Sequence, residues 1–364
     1  MTTAFESTPP MLRDIARQPD VLRGLGARAD AFAALGRAVL APGPRGRVFV
    51  AGCGDGVFAA EAAAHRAAEL GLDWRAIGAL DLVLSAGRLR PDDRVVCISM
   101  SGNVDRTVEA ARAVSAAGIP LLALVNGSGG RLGEIATRKV SLDLPDIAPF
   151  LCGTASYTAT LFALMLLAAG AAGSSDPIDL MRIAEAQASA ERAASAVLPG
   201  LGTPVPTGIR ILSAGADRGT ARYGAAKFVE LTRLPVWSGD LEEFAHSQYW
   251  AMPVTDLVVV VAADPALAEY ADASCAALAR LGVPTLAIDT DATPVASAAH
   301  RITLPAVPVS LAPLITPIPL QRLAYRMAEA SGLDPNSRQH LKADETRFTV
   351  SRMLTRRSLI GTGQ

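Results

Sequence analysis

The stretch RVVCISMSGNVDRTVEAARAVSAA, residues 94–117, decides the fold class. It opens with RVVCIS (94–99), a short apolar run that predicts a buried strand. A glycine-containing turn follows, and the spacing of apolar residues then predicts a helix at about 104–117. A strand that passes through such a turn into a helix is the repeating element of a parallel sheet with helices on both faces.

The same alternation continues on both sides of this stretch. The first half has strand signals at 47–52, 94–99, 120–125 and 139–144, and a long apolar helix at about 154–172. The second half has strand signals at 210–215, 256–262, 284–289 and 301–304, with helices at about 219–233, 265–281 and 317–331. The turns AGCGDG (51–56) and AGADRG (214–219) occupy the same place in each half. We therefore predict an α/β protein made of two duplicated, doubly wound parallel-sheet sandwiches.

A chain of 364 residues suits two domains of ordinary size. We expect introductory helices at 1–44, a first domain at 45–197 and a second domain at 209–331. The stretch LPGLGTPVPTG, near 198–208, is rich in proline and glycine and predicts the linker. Residues 332–364 are polar and charged and form a C-terminal tail.

Composition excludes several classes of partner. The net charge is -1 and no basic tract occurs, so we expect no nucleic acid. The longest apolar run, 161–172, is shorter than the ~20 residues that span a bilayer, and MTTAFESTPP lacks the features of a signal peptide. The cysteines are far apart and form no CxxC pair, which predicts a reducing cytoplasm and neither disulfides nor a metal site; they are Cys53, Cys97, Cys152 and Cys275.

Five segments, in order, resemble one family. They are MLRDIARQPDVLRGL (11–25), SMSGNVDRT (99–107), GAAKFVELTRLP (224–235), EEFAHS (242–247) and PLQRLAYRMAEASGLDPNSRQHLK (319–342). The chain resembles the tandem SIS-domain phosphosugar isomerases and deaminases, in particular the isomerase part of glucosamine-6-phosphate synthase. It begins at the introductory helix, so we expect no glutaminase domain and no glutamine-dependent synthase reaction.

The resemblance implies acid–base chemistry on a sugar. Moving a proton between C1 and C2 requires a base and a group that opens the ring, and a lysine can assist through a Schiff base with the ketone. By resemblance, Glu230 is the base, His246 opens the ring, and Lys227 and Lys342 are the helix and tail lysines. The tail therefore contributes to the active site. The family also implies a homodimer, because its histidine loop enters the neighbouring subunit's site, and it implies no cofactor.

Each of these residues also has an ordinary structural interpretation. Lys227 and Glu230 lie three apart and could form a surface ion pair of little value. Phe228 and Leu231 argue against that, because they indicate a partly buried helix. A histidine can satisfy a local backbone group, and Lys342 could simply be solvated.

The turn after the strand at 94–99 is the predicted phosphate site. A helix start offers free N–H groups and the positive end of a dipole, which suit an anion, although serines commonly cap helices without any ligand. The expected binding residues come from this turn and from the turn at 51–56; they are Gly54, Asp55, Gly56, Ser99, Met100, Ser101 and Val104. Relative to the family, Gly56 and Val104 lack hydroxyls, and Asp55 adds a negative charge. The loop FLCGTASYTA (150–159) also departs from the family pattern.

Several functions stay open from the sequence. Isomerisation cannot be separated from deamination or deglycation, because both begin with the same enediol or enolamine chemistry. The substrate is a small sugar, with or without a phosphate. A non-catalytic sugar-phosphate sensor and a scaffold with an inactive site are the other classes. A sensor needs the binding turn but not Glu230, His246 and Lys342.

Overall fold

The structure is a computed structural model that describes residues 8–355. The signal-peptide prediction rests partly on residues 1–7, and the predicted tail includes 356–364; both stretches lie outside the described residues. Contacts divide the described chain into two compact units. We call residues 21–145, 156–178 and 341–355 the N-terminal unit, and residues 8–20, 146–155 and 179–340 the C-terminal unit.

The helices alternate with the strands along the chain. They are α1 (Pro10–Ala16), α2 (Gln18–Gly26), α3 (Ala29–Leu35), α4 (Asp55–Glu69), α5 (Ala79–Ser85), α6 (Asp105–Ala116), α7 (Gly130–Ile135), α8 (Ala155–Ala171), α9 (Leu180–Val197), α10 (Arg218–Thr232), α11 (Leu241–His246), α12 (Ala268–Ala279), α13 (Pro317–Ala330), α14 (Gln339–Ala343) and α15 (Glu345–Thr355). Shorter helical turns lie at Gly36–Leu40, Ala86–Arg88, Leu198–Gly200, Gly215–Asp217, Gln248–Ala251, Pro265–Leu267 and Val309–Leu314.

The strands form two five-stranded parallel sheets, one in each unit. The first contains β1 (Val48–Gly52), β2 (Trp74–Gly78), β3 (Arg94–Ser99), β4 (Leu121–Val125) and β5 (Arg138–Ser141), in the order β2-β1-β3-β4-β5. The second contains β6 (Ile209–Ser213), β7 (Val236–Asp240), β8 (Leu257–Val261), β9 (Thr285–Thr290) and β10 (His300–Leu304), in the order β10-β9-β8-β6-β7. The predicted duplication of a doubly wound α/β unit is confirmed. The bounds predicted for the domains remain a prediction.

The strand order creates one switch point in each sheet. From β1 the chain moves outward to β2, whereas from β3 it moves the other way to β4 and β5. The carboxyl ends of β1 and β3 therefore open a crevice, which is where open α/β sheets bind ligands. In the second sheet the same reversal falls between β6 and β8.

The central strands could be predicted from the sequence because they are buried along their whole length. Every residue of β1, β4 and β8 is buried, as expected for strands covered by helices on both faces. Strands β2 and β7 were not predicted. They read WRAIG and VWSGD, and their residues are mostly half-buried, so neither forms a long apolar run. Within residues 8–355, no helix is both long enough and apolar enough to cross a membrane.

Helix α1, at the start of the C-terminal unit, forms hydrogen bonds with segments that are distant in the sequence. Asp14 accepts a hydrogen bond from the Ala155 backbone N–H at 3.0 Å, where α8 begins, and another from the Thr154 hydroxyl. The Met11 backbone N–H donates to the Asn336 side chain at 3.1 Å. These bonds hold the loop before α8 and the turn after α13 in place, and both segments reach the candidate site.

Candidate functional site

Glu230 lies at the centre of a charged cluster on α10. Its Oε1 accepts from Lys227 Nζ at 2.8 Å, and its Oε2 accepts from Arg338 Nη1 at 2.7 Å. The Cys152 thiol donates to the same Oε2 at 3.5 Å. We call Cys152, Lys227, Glu230 and Arg338 the Glu230 cluster; all four belong to the C-terminal unit.

The sequence of α10 explains this placement. Phe228 and Leu231 are fully buried, so they fix the side of α10 that faces the core. Lys227 is also buried, at 1% exposure, and its Nζ lies 5.2 Å from the centre of the Tyr223 ring. The pair of Lys227 and Glu230 is therefore not the surface ion pair that the spacing alone would suggest.

The surroundings keep Glu230 ionised. Burial by itself would raise its pKa, because an apolar environment disfavours the charged form. The charge and hydrogen bond of Lys227 oppose burial, and Arg338 and the Cys152 thiol add to them, so the pKa of Glu230 is held below its usual value. The contacts of this cluster therefore favour the ionised carboxylate.

Arg338 joins the C-terminal segment to this cluster. Besides Glu230, its guanidinium donates to the backbone carbonyls of Phe150 and Leu151, both at 2.9 Å, and it lies over the Phe150 ring. Next to it, His340 Nε2 lies 3.0 Å from the backbone carbonyl oxygen of Glu230.

Backbone strain concentrates at this cluster. Within residues 8–355, four residues other than glycine have positive φ, and three of them are Phe150 (φ 59°), Arg233 (φ 57°) and Arg338 (φ 48°). Arg233 donates to the His340 carbonyl, so all three belong to the segments that surround Glu230. Such conformations cost roughly 1–3 kcal/mol each and are typical of functional sites.

His246 lies apart from these contacts. It ends α11, its side chain is 64% exposed, and its Nε2 lies 2.8 Å from Glu242 Oε1. The hydrogen bond and charge of Glu242 raise the pKa of His246. His246 makes no hydrogen bond with Lys227 or Glu230 within the described chain. Lys342 lies in α14 and is exposed.

The other predicted residues line the switch point of the first sheet. Gly54 precedes α4, and Asp55 and Gly56 are its first residues, whereas Ser99 ends β3 and Val104 precedes α6. We call residues 99–104 the Ser101 turn; it includes Met100. The Ser99 hydroxyl is buried and has no hydrogen-bond partner among the described residues.

Gly102 allows the Ser101 turn to pack closely against the next loop. It has φ +66°, and a Cβ there would collide with the Gly129 carbonyl oxygen. The Ser101 hydroxyl accepts from the Asn103 backbone N–H at 3.2 Å. Arg131 donates to the Asn103 carbonyl and to Asp105, both at 2.6 Å, which balances the acidic residue at the start of α6.

A side chain at Gly56 would crowd Ile98. A Cβ at this position would lie 3.1 Å from Ile98 Cγ2 and 3.2 Å from Ile98 Cβ, so a serine would require Ile98 to shift. Val104, in contrast, is 41% exposed and has room for a threonine.

The sequence matches the SIS domain over residues 44–170 and again over residues 208–330. The chain belongs to the SIS family. The predicted resemblance is therefore confirmed. The sequence matches no curated protein.

Solved structures resemble this SIS protein along most of its length. The C-terminal domain of glucosamine-fructose-6-phosphate aminotransferase from Francisella tularensis has a TM-score of 0.78 at 17% identity, covering 89% of this chain and 97% of that one. Tagatose-6-phosphate ketose/aldose isomerase from Escherichia coli has a TM-score of 0.72 at 20% identity, covering 91% and 97%. Glucosamine-6-phosphate deaminase from Thermotoga maritima has a TM-score of 0.72 at 16% identity, covering 90% and 96%. At these identities the likeness shows the fold.

Sequence reasoning missed two members of the Glu230 cluster of this SIS protein. Cys152 lies in the loop at 150–159, whose departure from the family pattern was the only signal in the sequence. Arg338 lies within the segment 319–342 that carries the resemblance, but nothing in the sequence marked it as a partner of Glu230. Within residues 8–355, no three His, Cys, Asp or Glu side chains are placed to hold a metal ion.

Proposed function

We propose that this SIS protein is an enzyme that moves a proton between C1 and C2 of a sugar phosphate, as an aldose–ketose isomerase or an amino-sugar deaminase or deglycase. The observation that carries the proposal is the ionised, half-buried carboxylate of Glu230, held by Lys227 and Arg338 at 2.8 and 2.7 Å. A proton-abstracting base must be ionised before it acts, and its orientation must be fixed.

Exposure and contacts support a role for each residue in this proposal. Glu230 takes the proton from the sugar, and Lys227 fixes and ionises it, because this lysine is buried against the carboxylate. Lys342 is exposed, so its amine is the candidate for a Schiff base with the ketone. His246 opens the ring; its pairing with Glu242 favours the protonated form, which can donate to the ring oxygen.

The phosphate would lie at the Ser101 turn. The unpartnered Ser99 hydroxyl supports this, as does the position of the turn at the switch point between β1 and β3. We also propose a homodimer in which the His246 loop serves the neighbouring site, with a cytoplasmic location and no metal or nucleic acid requirement. Sedimentation velocity tests the dimer, and a fully active monomer would contradict it.

Deuterium exchange tests the chemistry most directly. Isomerisation and deamination both exchange the C1 or C2 hydrogen with solvent, so NMR in D₂O detects proton abstraction whichever reaction follows. Glucosamine 6-phosphate, fructose 6-phosphate and tagatose 6-phosphate are suitable probes, each compared with its free sugar. We expect the wild-type protein to exchange at least one probe, and Glu230→Gln to slow exchange at least about 100-fold while still binding it.

The matched control is Glu185→Gln on the exposed side of α9, which should exchange at the wild-type rate. Exchange by Glu230→Gln within a few-fold of wild type would reject Glu230 as the base. A wild-type protein that binds a probe but exchanges none would support the sensor function instead.

The crowding of Gly56 by Ile98 favours a second candidate, an enzyme for a free sugar. In that case Asp55, at the start of α4, holds a hydroxyl or an amine. Asp55→Ala would then weaken binding of the free sugar, whereas for a phosphate-binding turn it would leave phosphosugar binding equal or tighter. Isothermal titration with matched sugars separates the two outcomes.

A further inference from the structure

A cavity of about 370 Å³ lies beside α13 in the C-terminal unit, apart from the residues discussed above. Its walls include Arg322, Tyr325, Arg326 and Glu329 of α13, together with Leu198 and Pro199 from the short helical turn after α9. This volume falls within the range of small-molecule sites. The leucine, the proline and the largely buried tyrosine ring provide an apolar wall.

Two arginines on one side of α13 line this cavity. Arg322 and Arg326 are four residues apart, so they lie on the same face of α13, where like charges repel. Such a pair is stabilised when an anion lies between the two charges.

Arg322 is only partly compensated. Its Nη2 donates to the Ser195 hydroxyl at 2.9 Å, while its Nε lies 3.4 Å from Glu191 Oε2, which is too long for a well-formed charged hydrogen bond. Arg322 Nε and Glu191 Oε2 are both buried, and neither has another hydrogen-bond partner among residues 8–355.

Arg326 is held within the described chain by one hydrogen bond to the backbone. Its Nε donates to the Leu201 carbonyl at 3.2 Å, which fixes the plane of the guanidinium. Its two terminal amino groups make no hydrogen bond, and no carboxylate forms an ion pair with it, within the described chain. A planar donor fork of this kind matches the two oxygens of a carboxylate or a phosphate.

We propose that this cavity is a second ligand site, which binds a small organic anion with a carboxylate or phosphate head and an apolar body. The head lies on the terminal amino groups of Arg326, with Arg322 beside it, and the body packs against Leu198, Pro199 and Tyr325. Glu329 at the rim opposes the anion, so its charge sets an upper limit on affinity.

Isothermal titration of the full chain tests this site with benzoate, phenyl phosphate and inorganic phosphate as probes, and with benzyl alcohol as the neutral control. We expect benzoate or phenyl phosphate to bind at least about tenfold more tightly than benzyl alcohol. Arg326→Gln should weaken that anion at least about tenfold, whereas Glu329→Gln should tighten it, because the substitution removes a repelling carboxylate.

Arg326→Gln is expected to weaken binding of the anion, and Glu329→Gln is expected to tighten it. Misfolding cannot tighten binding, so it cannot account for both results. A variant of the Ser101 turn, Ser99→Ala with Ser101→Ala, should leave benzoate binding unchanged, so the result is independent of the proposed enzymatic site. Binding that persists in Arg326→Gln, or that is lost in the Ser101-turn variant, would place the anion elsewhere and overturn the proposal. Equal affinity for benzyl alcohol and the two aromatic anions, or no binding by any probe, would also overturn it.

Discussion

Replacing Arg338 with alanine tests how the C-terminal segment supports the base. The guanidinium donates three hydrogen bonds, one to the Glu230 carboxylate and two to the carbonyls of Phe150 and Leu151. Hydrogen bonds from a charged donor contribute roughly 1.5–3 kcal/mol each. The Arg338 side chain is 17% exposed and Glu230 is 29% exposed, so water replaces part of this contribution. We expect Arg338→Ala to lower the free energy of unfolding by about 3 kcal/mol at pH 7.

Urea unfolding of Arg338→Ala, Glu230→Gln and the double variant separates the ion pair from the carbonyl bonds. We expect a coupling energy of about 1.5 kcal/mol at pH 7. The pKa of Glu230 is lowered in the folded protein, so its ionic contribution is present above its unfolded pKa of about 4.3 and is lost as the pH falls through the lower folded value. The coupling should therefore disappear at strongly acidic pH.

Arg347 is the matched control, because it lies in the same tail with its side chain 80% exposed and is paired with Asp344. Arg347→Ala should change the free energy of unfolding by less than about 0.5 kcal/mol. Additive effects of the Arg338 and Glu230 substitutions at pH 7 would refute the reasoning, as would an equal cost for Arg347→Ala.

Three further substitutions probe other contacts. Cys152→Ala removes a donor to Glu230, so the pKa of Glu230 should rise and the acidic limb of the kcat/KM profile should move to higher pH; an unchanged limb would show that the thiol has no such role. Burial raises the pKa of Asp217 to about 7, so the folded state holds a proton that the unfolded chain releases between about pH 4 and 7, and stability falls as the pH rises through that window. Asp217→Asn should therefore stabilise the protein by about 2–4 kcal/mol at pH 8 and hardly at all at pH 4, as thermal unfolding at the two pH values would show. Val104→Thr should tighten a sugar 6-phosphate about tenfold in titration and leave the free sugar unaffected, and equal gains for both would exclude a contact with the phosphate.

The sequence predicted the parts of the fold that depend on buried, contiguous apolar runs. The central strands β3 and β8 were predicted to within a residue or two, because both of their faces are covered. The edge strands β2 and β7 were missed, since their residues are largely half-buried and their pattern is mixed.

The residues of the site also divide into those that a local pattern predicts and those that it does not. Lys227 and Glu230 lie within one helix, so their spacing was enough to predict that they meet. Arg338 and Cys152 reach Glu230 from 108 and 78 residues away, and no local pattern encodes such contacts. The crowding that a serine at Gly56 would meet comes from Ile98 in β3, which is also a matter of tertiary packing.

The hydrogen bonds from α1 and from the start of α2 to residues 336 and 321 have a consequence for biosynthesis. Met11 bonds to Asn336, 325 residues later, and Gln18 bonds to Gln321, 303 residues later. At the usual 5–20 residues per second, a ribosome needs roughly 15–65 s to make the intervening chain. During that interval the apolar face of α1, including Met11 and Ile15, has none of its final C-terminal partners. The emerging chain thus exposes this apolar face until residues 321–336 have been made, and chaperones should bind there in the meantime.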